Sequence, residues 1–263
     1  MLSIKKFNLL LFAVASLTVS ACHDHDDDDH VHPDPQPGTV QLEFENRFGN
    51  NKLAMPTTVF TTTSQDSVKL QRLMYFISNV KLIKEDGSVY AEPNSYHLVQ
   101  NAPGSIKEIF KLHDVPAGRY NKIEFSIGVD SAHNQSTDHT IADLKDSHDM
   151  TWSWHTGYAF MKLEGKFYNP DSTGFASMLY EIGTDPNYKT LTLPLPQTLI
   201  VDTETSSIHL MTDVNKFFGS PNAINIKANP QVKGESQYAA VAAKIAENYS
   251  SMFIVHHIHN HGH

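Results

Sequence analysis

Apolar side chains recur at every second position in several separate segments of the chain, and this spacing restricts each segment to a half-buried β-strand. The segments 40–44, 123–129 and 191–195 all place their apolar residues on a single face. Turn sequences separate such segments, as at 85–88 and 115–118, and no strand–helix–strand rhythm connects them. The pattern predicts an all-β chain that folds into an antiparallel two-sheet β-sandwich of the immunoglobulin-like kind.

Two prolines restrict where one of these strands can lie. Pro194 and Pro196 fall inside the alternating segment "KTLTLPLP". Proline lacks the backbone N–H that a strand ladder needs, so it is confined to sheet edges and strand ends. This strand is therefore expected to lie at an edge of its sheet or to end at the prolines.

A single convincing helix is expected near the C-terminus, at about 237–249, in the stretch "SQYAAVAAKIAENYSSM". Ser236 can cap its N-terminus, and the alanines favour helix. Apolar residues with helical spacing form one stripe, and they are Tyr238, Val241, Ile245, Tyr249 and Met252. We expect this helix to pack on an edge or end of the sandwich.

The first residues have the composition of an export signal. Lys5 and Lys6 precede a short apolar run that ends in "VSAC", where Cys22 is the only cysteine of the chain. Residues 1–21 are predicted to be a secretory signal peptide rather than a membrane-spanning helix. Cys22 is predicted to be lipidated, which makes the protein an outer-membrane lipoprotein that faces the periplasm or the cell surface.

Residues 22–37 are predicted to form a lipidated, acidic, histidine-rich tether, followed by one domain over 38–260 and a histidine-containing tail over 261–263. Four consecutive aspartates and several prolines prevent the tether from burying apolar surface. An acidic run at this place resembles the surface-export signal of Bacteroidetes lipoproteins, and it could equally be a solubilising linker.

The mature chain is acidic. Its net charge of −9 becomes −11 without the two lysines of the signal, and this charge argues against a nucleic-acid partner.

Histidine is unusually abundant, with sixteen residues in 263. Nine of these lie near the chain ends: His23, His25, His30, His32, His256, His257, His259, His261 and His263. In an extended strand, alternate residues share a face at about 7 Å spacing, so His257, His259, His261 and His263 could present their imidazoles to one side. Imidazole binds copper, zinc, nickel and iron well. The alternative is a solvated polar tail.

Both tryptophans of the chain lie in the segment "TWSWHTGY". Trp152 and Trp154 would share one face of an extended strand, next to His155. That face could be packed in a core, it could form part of a metal or redox site, or it could be a platform on which a sugar stacks. The chain contains no nucleophile elbow, P-loop, glycine-rich dinucleotide turn or HExxH motif. We therefore expect that it is not an enzyme.

Five segments occur in an order that resembles the MbnP-like copper-binding domain family, which includes many Bacteroidetes lipoproteins. These segments are "LMYFISNVKLIKEDGSVY", "FSIGVDSAHN", "DMTWSWHTGYAFMKLEG", "TDVNKFFG" and "IAENYSSMFIVHHIHN". The resemblance implies a copper ion, as Cu(I) or Cu(II), and a tryptophan oxidised to kynurenine by a di-haem peroxidase. Trp152 or Trp154 would be the modified residue, and His257 and His259 match the terminal His-x-His of the family.

One position departs from the pattern of the family. Glu181 stands in "LYEIG" where many relatives have a histidine, and a carboxylate suits Cu(I) poorly. The remaining motif residues predict a metal site that combines Trp152, Trp154 and His155 with His257 and His259. For this site to form, the terminal strand must lie near the loop that enters "TWSW".

Two functions from different classes remain open at this stage. The first is a lipid-anchored copper-binding protein that takes part in copper acquisition or handling, with a di-haem peroxidase or a TonB-dependent receptor as partner. The alternative is a surface glycan-binding or adhesin-type sandwich that uses its tryptophan pair for stacking.

Replacement of Cys22 tests the anchor. Cys22→Ala removes the acylation site, and stable anchoring requires two or more acyl chains. We expect the variant in the soluble fraction after cell fractionation, and the unmodified chain in the membrane fraction. A variant that remains with the membranes after a high-salt wash would contradict the lipidation of Cys22.

Overall fold

The structure is a computed structural model that describes residues 35–137, 140–152, 155–172 and 174–260. The predicted signal peptide, Cys22, most of the predicted tether, Trp154 and the predicted tail lie outside these residues. Within the described ranges, no helix has the length and apolar character needed to cross a membrane.

Fifteen strands and three α-helices make up the described part of the chain. The strands are β1 Gly38–Phe48, β2 Asn51–Lys52, β3 Phe60–Thr61, β4 Ser67–Lys84, β5 Val89–Ala91, β6 Tyr96–Ala102, β7 Ser105–Lys107, β8 Ile109–Val115, β9 Gly118–Ile127, β10 Ala159–Asn169, β11 Gly174–Gly183, β12 Lys189–Val201, β13 Thr205–Asp213, β14 Gln231–Val232 and β15 Phe253–His259. The helices are α1 Ala142–Lys145, α2 Asn215–Gly219 and α3 Ala239–Ser250.

The strands form two sheets. Sheet A has the order β15-β13-β1-β2, with β8 also paired to β1. Sheet B has the order β12-β9-β4-β10-β11-β14, and β3, β5 and β6 also pair with β4, while β7 pairs with β6. The mostly-β sandwich that the alternation predicted is confirmed.

Most strand pairs are antiparallel, as expected, but each sheet also contains one parallel pair. In sheet A, β1 runs parallel to β13 over nine residue pairs without a bulge. In sheet B, the short strand β14 runs parallel to β11. Both sheets are therefore mixed.

The proline-containing strand β12 lies at an edge of sheet B, and its pairing with β9 is irregular between Pro194 and Leu199. Both observations agree with the constraint from the prolines.

The single C-terminal helix is confirmed as α3, whose residues Ile245 and Tyr249 are fully buried. The role expected for Ser236 is wrong. A turn of 3₁₀-helix over Ser236–Tyr238 precedes α3, and Tyr238, at the N-cap position, makes no side-chain capping bond. Ser236 is therefore part of the 3₁₀ turn and does not occupy the N-cap position of the α-helix.

The main core lies between the sheets and contains a cluster of aromatic rings. Phe44 of β1 packs against Tyr75 of β4, Phe125 of β9 and Phe253 of β15, with ring centroids 6.0–6.3 Å apart. The hydroxyl of Tyr75 lies 3.0 Å from Asn46 Oδ1, to which it donates, and 3.2 Å from Thr212 Oγ1. This buried tyrosine therefore connects sheet B to two strands of sheet A.

A second, smaller apolar cluster covers the outer face of sheet B. It is built on Met74 and Phe76 of β4, which alternate with the inward residues of the same strand. The connection between β9 and β10 contributes its other main members, which include Val129, Leu144, Met150, Trp152 and Tyr158.

Removal of the Tyr75 hydroxyl tests the link between the sheets. Tyr75→Phe keeps the ring packing but leaves Asn46 and Thr212 with a buried polar atom that has lost its partner. We expect the free energy of unfolding to fall by about 1–3 kcal/mol in urea denaturation. The control is Tyr168→Phe, which removes a hydroxyl from a tyrosine that is 45% exposed. This variant should have the same free energy of unfolding as the unmodified protein. If the two variants have equal free energies of unfolding, the contacts of the Tyr75 hydroxyl with Asn46 and Thr212 do not stabilise the fold.

Candidate metal centre

Three histidines lie together on the outer face of sheet A. His209 is on β13, and His257 and His259 are on the neighbouring strand β15. The strand register places His209 opposite His257, and His259 opposite Ser207. One ligand atom from each imidazole lies within 4.8 Å of the other two. We call these three residues the histidine triad.

The three rings of the triad lie close together, but their ligand atoms are farther apart than the ligand atoms around a bound metal ion. The rings of His209 and His257 stack, with centroids 4.1 Å apart and an interplanar angle of 17°. His259 meets both rings edge-on, at 5.1 and 4.8 Å. In a tetrahedral site with metal–nitrogen bonds of 2.0–2.1 Å, ligand nitrogens lie about 3.3 Å apart. Side-chain rotations that bring these nitrogens up to about 1.5 Å closer together would close that difference, so the three imidazoles fit a transition metal.

A β-bulge directs these imidazoles out of the core. His257 pairs with His209 while Val255 pairs with Leu210, so His256 is the extra residue in β15. Phe253 and Ile258 are both buried although an odd number of positions separates them, and only the extra residue allows that. His257 and His259 consequently share the outer face with His209. The Nδ1 atoms of His256 and His257 lie 2.7 Å apart.

The surroundings of the triad orient the imidazole of His209 and favour the neutral form of His257. Glu43 of β1 lies opposite His209, and its Oε2 is 3.3 Å from His209 Nδ1. A carboxylate in this position commonly orients a metal-binding histidine through its second nitrogen. Burial, followed by the nearby His209, His259 and His256, lowers the pKa of His257, against the opposing effect of Glu43. A histidine must be neutral to bind a metal ion.

The sequence did not identify His209 as a ligand. Its only signal is local: in "SIHLMTDV" the polar His209 interrupts the apolar Ile208 and Leu210, which predicts an outward side chain on a half-buried strand. Nothing in the sequence indicates that this strand pairs with the last strand in the register observed.

Trp152 belongs to the other face of the sandwich. Its side chain is only 9% exposed and packs in the cluster that covers the outer face of sheet B. Its indole Nε1–H donates to Glu181 Oε2 at 3.3 Å, and Glu181 Oε1 pairs with Lys162 Nζ at 3.1 Å. Glu181, which replaces the histidine expected from the family pattern, thus contacts the indole and an ammonium group.

Glycines make room for the Trp152 ring. A Cβ at Gly183 would overlap the far edge of the indole and the carbonyl oxygen of Tyr158, and a Cβ at Gly234 would come within 3.0 Å of the same ring. His155 is exposed, and its ring stands edge-on to Trp152 at a centroid distance of 5.8 Å. Trp152 is therefore a packed residue whose indole N–H contacts Glu181, and His155 borders it.

The connection that carries Trp152 is held by a polar network at Asp130. Asp130 accepts hydrogen bonds from the hydroxyl of Tyr96 and from Asn79 Nδ2, and its Oδ1 lies 3.0 Å from His133 Nδ1. Burial alone would raise the pKa of Asp130, but the bonds from Tyr96, His133 and Asn79 outweigh it and lower the pKa to about 2. His133 is thus part of this network and not of the triad.

Four of the five sequence-predicted metal residues are described, and the structure does not bring these four together. His257 and His259 lie on the outer face of sheet A, whereas Trp152 and His155 lie at the outer face of sheet B, with the sandwich core between them. Trp154 lies outside the described residues. The bulge in β15 turns the histidines of the terminal strand away from sheet B, and therefore away from the described part of the loop before "TWSW".

Comparisons with known proteins identify the family. A family model described as MbnP matches residues 37–236. This range contains Trp152 and His209 and ends before α3 and β15. Among solved structures, MbnP from Methylosinus trichosporium is similar, with 14% sequence identity and a TM-score of 0.47 over 76% of this chain and 82% of that chain. A search of curated proteins found no match.

The packing of Trp152 against Gly183 can be tested by fluorescence. In a Trp154→Phe background, Trp152 is the only indole, and Gly183→Ala should displace it and shift its emission to longer wavelength. The matched control is Gly174→Ala, where the nearest atom to the new Cβ is 3.9 Å away. If both variants emit like the background protein, Trp152 does not occupy the site between the glycines.

Proposed function

Since this chain belongs to the MbnP family, we propose that it binds copper and that His209, His257 and His259 hold the ion. The observation that carries the proposal is the triad itself, three imidazoles from two paired strands with ligand atoms within 4.8 Å. Imidazole is a good ligand for Cu(II), and copper(II) is the most tightly bound of the divalent first-row metals at a given nitrogen site. The choice of copper over zinc rests on the family resemblance.

The position of the triad suits an ion that is taken up and passed on. It lies on the outer face of a sheet, and His259 is exposed, so a partner protein can approach the ion directly. The acidic charge of the chain attracts cations. We propose a lipid-anchored protein of the outer membrane that acquires or handles copper, without enzymatic activity. A TonB-dependent receptor or a di-haem peroxidase is the proposed partner.

The tryptophan region has a separate place in this proposal. Glu181 already contacts the Trp152 indole and Lys162, and its carboxylate is a poor ligand for Cu(I). We propose that copper binding at the triad does not need kynurenine. Oxidation of Trp152 or Trp154 remains an expectation from the family, and an intact-mass measurement of the mature protein tests it.

The glycan-binding alternative receives no support from Trp152. A sugar-stacking platform must expose the face of an aromatic ring, and Trp152 is 9% exposed. Its ring is enclosed by the second apolar cluster and by two glycines. We therefore keep copper binding as the proposed function.

Substitution of the triad tests the proposed site. The experiment uses the full chain in which six terminal histidines are replaced by alanine, so that weak binding there does not mask the triad; these are His23, His25, His30, His32, His261 and His263. In this background, His209→Ala should weaken Cu(II) binding in a competition titration. We expect more than the ~10–100-fold that loss of an outer-shell partner costs, because a direct ligand is removed.

The matched control is His113→Ala, which removes an exposed imidazole from β8 on the other side of β1. It should leave the affinity unchanged. A His257→Ala, His259→Ala double variant should lose most of the remaining binding. Cu(II) affinity that stays the same in both triad variants would refute the proposed function.

A further inference from the structure

His256, the extra residue of the bulge in β15, brings a fourth imidazole beside the triad. In a regular strand the side chains of neighbouring residues point to opposite faces. The bulge interrupts that alternation, and the rings of His256 and His257 meet edge-on, with centroids 4.8 Å apart and an interplanar angle of 74°. Their Nδ1 atoms are 2.7 Å apart. Two consecutive imidazoles therefore meet because the strand is bulged.

The separation of these two nitrogens suits two ligands of one Cu(II) ion. Cu(II) prefers a tetragonal geometry, in which neighbouring ligands form a right angle at the metal. With metal–nitrogen bonds of about 2.0 Å, neighbouring ligand nitrogens in this geometry lie about 2.8 Å apart. The Nδ1 atoms of His256 and His257 already have this separation, whereas the ligand atoms of the triad are separated by up to 4.8 Å.

The contact between the two rings can be converted from a hydrogen bond into a pair of metal ligands. At 2.7 Å, one ring donates its Nδ1–H to the lone pair on the Nδ1 of the other ring. If that proton moves to Nε2 of the same ring, both rings stay neutral and both Nδ1 atoms carry a lone pair. His256 is exposed and His257 is half-buried, so the His256 ring has room to turn toward a shared ion.

Two other donors on the outer face of sheet A are less suitable as the fourth ligand. Glu43 Oε2 lies 3.3 Å from Nδ1 of His209, where it orients that ring. Met211 follows His209 on β13, on the side away from His259, and its soft thioether sulfur favours Cu(I). The imidazole of His256 has the same donor chemistry as the three ligands of the triad.

We propose that His256 is the fourth ligand of the copper ion held by the triad and that it binds through Nδ1. The inference rests on the proposed function and deepens it. The bulge then has two functions: it turns the triad outward, and it adds the nitrogen that completes a tetragonal Cu(II) site. Because His256 is exposed, it can leave the ion when a ligand from a partner takes its place.

The test measures Cu(II) binding by the full chain without its six terminal histidines. His256→Ala keeps the extra residue in the strand and removes only the imidazole. It should weaken the tightest Cu(II) site by roughly 10²-fold, the lower end of the gain that an intramolecular contact supplies. In pulsed electron paramagnetic resonance of one bound Cu(II), the number of coordinated imidazoles should fall from four to three.

Two control variants are made in the same background. His113→Ala removes an exposed imidazole from β8, and Met211→Leu removes the thioether that lies next to His209 on the outer face. Neither variant should change the Cu(II) affinity or the number of coordinated imidazoles.

Each other outcome overturns the inference. If His256→Ala leaves the affinity and the spectrum unchanged, His256 is not a ligand. A weaker affinity with an unchanged number of imidazoles makes His256 a residue that only positions His257, and a loss of affinity confined to Met211→Leu assigns the fourth ligand to the thioether. The proposed function is judged separately by the triad variants. If they lose copper binding while His256→Ala does not, the triad stands and only this inference fails.

Discussion

The candidate metal centre depends on one extra residue in the last strand. Phe253 at the start of β15 is buried in the aromatic cluster, and regular alternation from it would point His257 and His259 into the core as well. The bulge at His256 inserts one position, so Ile258 fills the core and the two histidines face solvent. A bulge of this kind changes which side chains share a face without ending the strand.

The rest of sheet A holds these imidazoles in register. The parallel pair of β1 and β13 continues without irregularity, so that Glu43 lies opposite His209. Tyr75 reaches from sheet B to both strands through Asn46 and Thr212. A site on strands whose inner face packs on the core is positioned more precisely than a site on a loop. Only the side chains on the outer face need to rotate when an ion binds.

The tryptophan motif and the triad are two separate features of this chain. Trp152 lies in an apolar cluster on the far face of sheet B, with its indole N–H on Glu181 and its ring between two glycines. The family pattern suggested that this motif and the terminal histidines form one site. In this chain the carboxylate of Glu181 and its ion pair with Lys162 occupy the place where an imidazole was expected, and the imidazoles gather on the opposite sheet.

The sequence by itself determined the all-β class, the C-terminal helix and the edge position of β12, because alternation, helical spacing and the missing N–H of proline act over a few neighbouring residues. It also showed that His257 and His259 share a face, since that follows from the period of a strand. Only the tertiary structure decided which face this is and that His209 joins them. Strand pairing and the position of a bulge depend on contacts between residues nearly fifty positions apart, and no local pattern records those contacts.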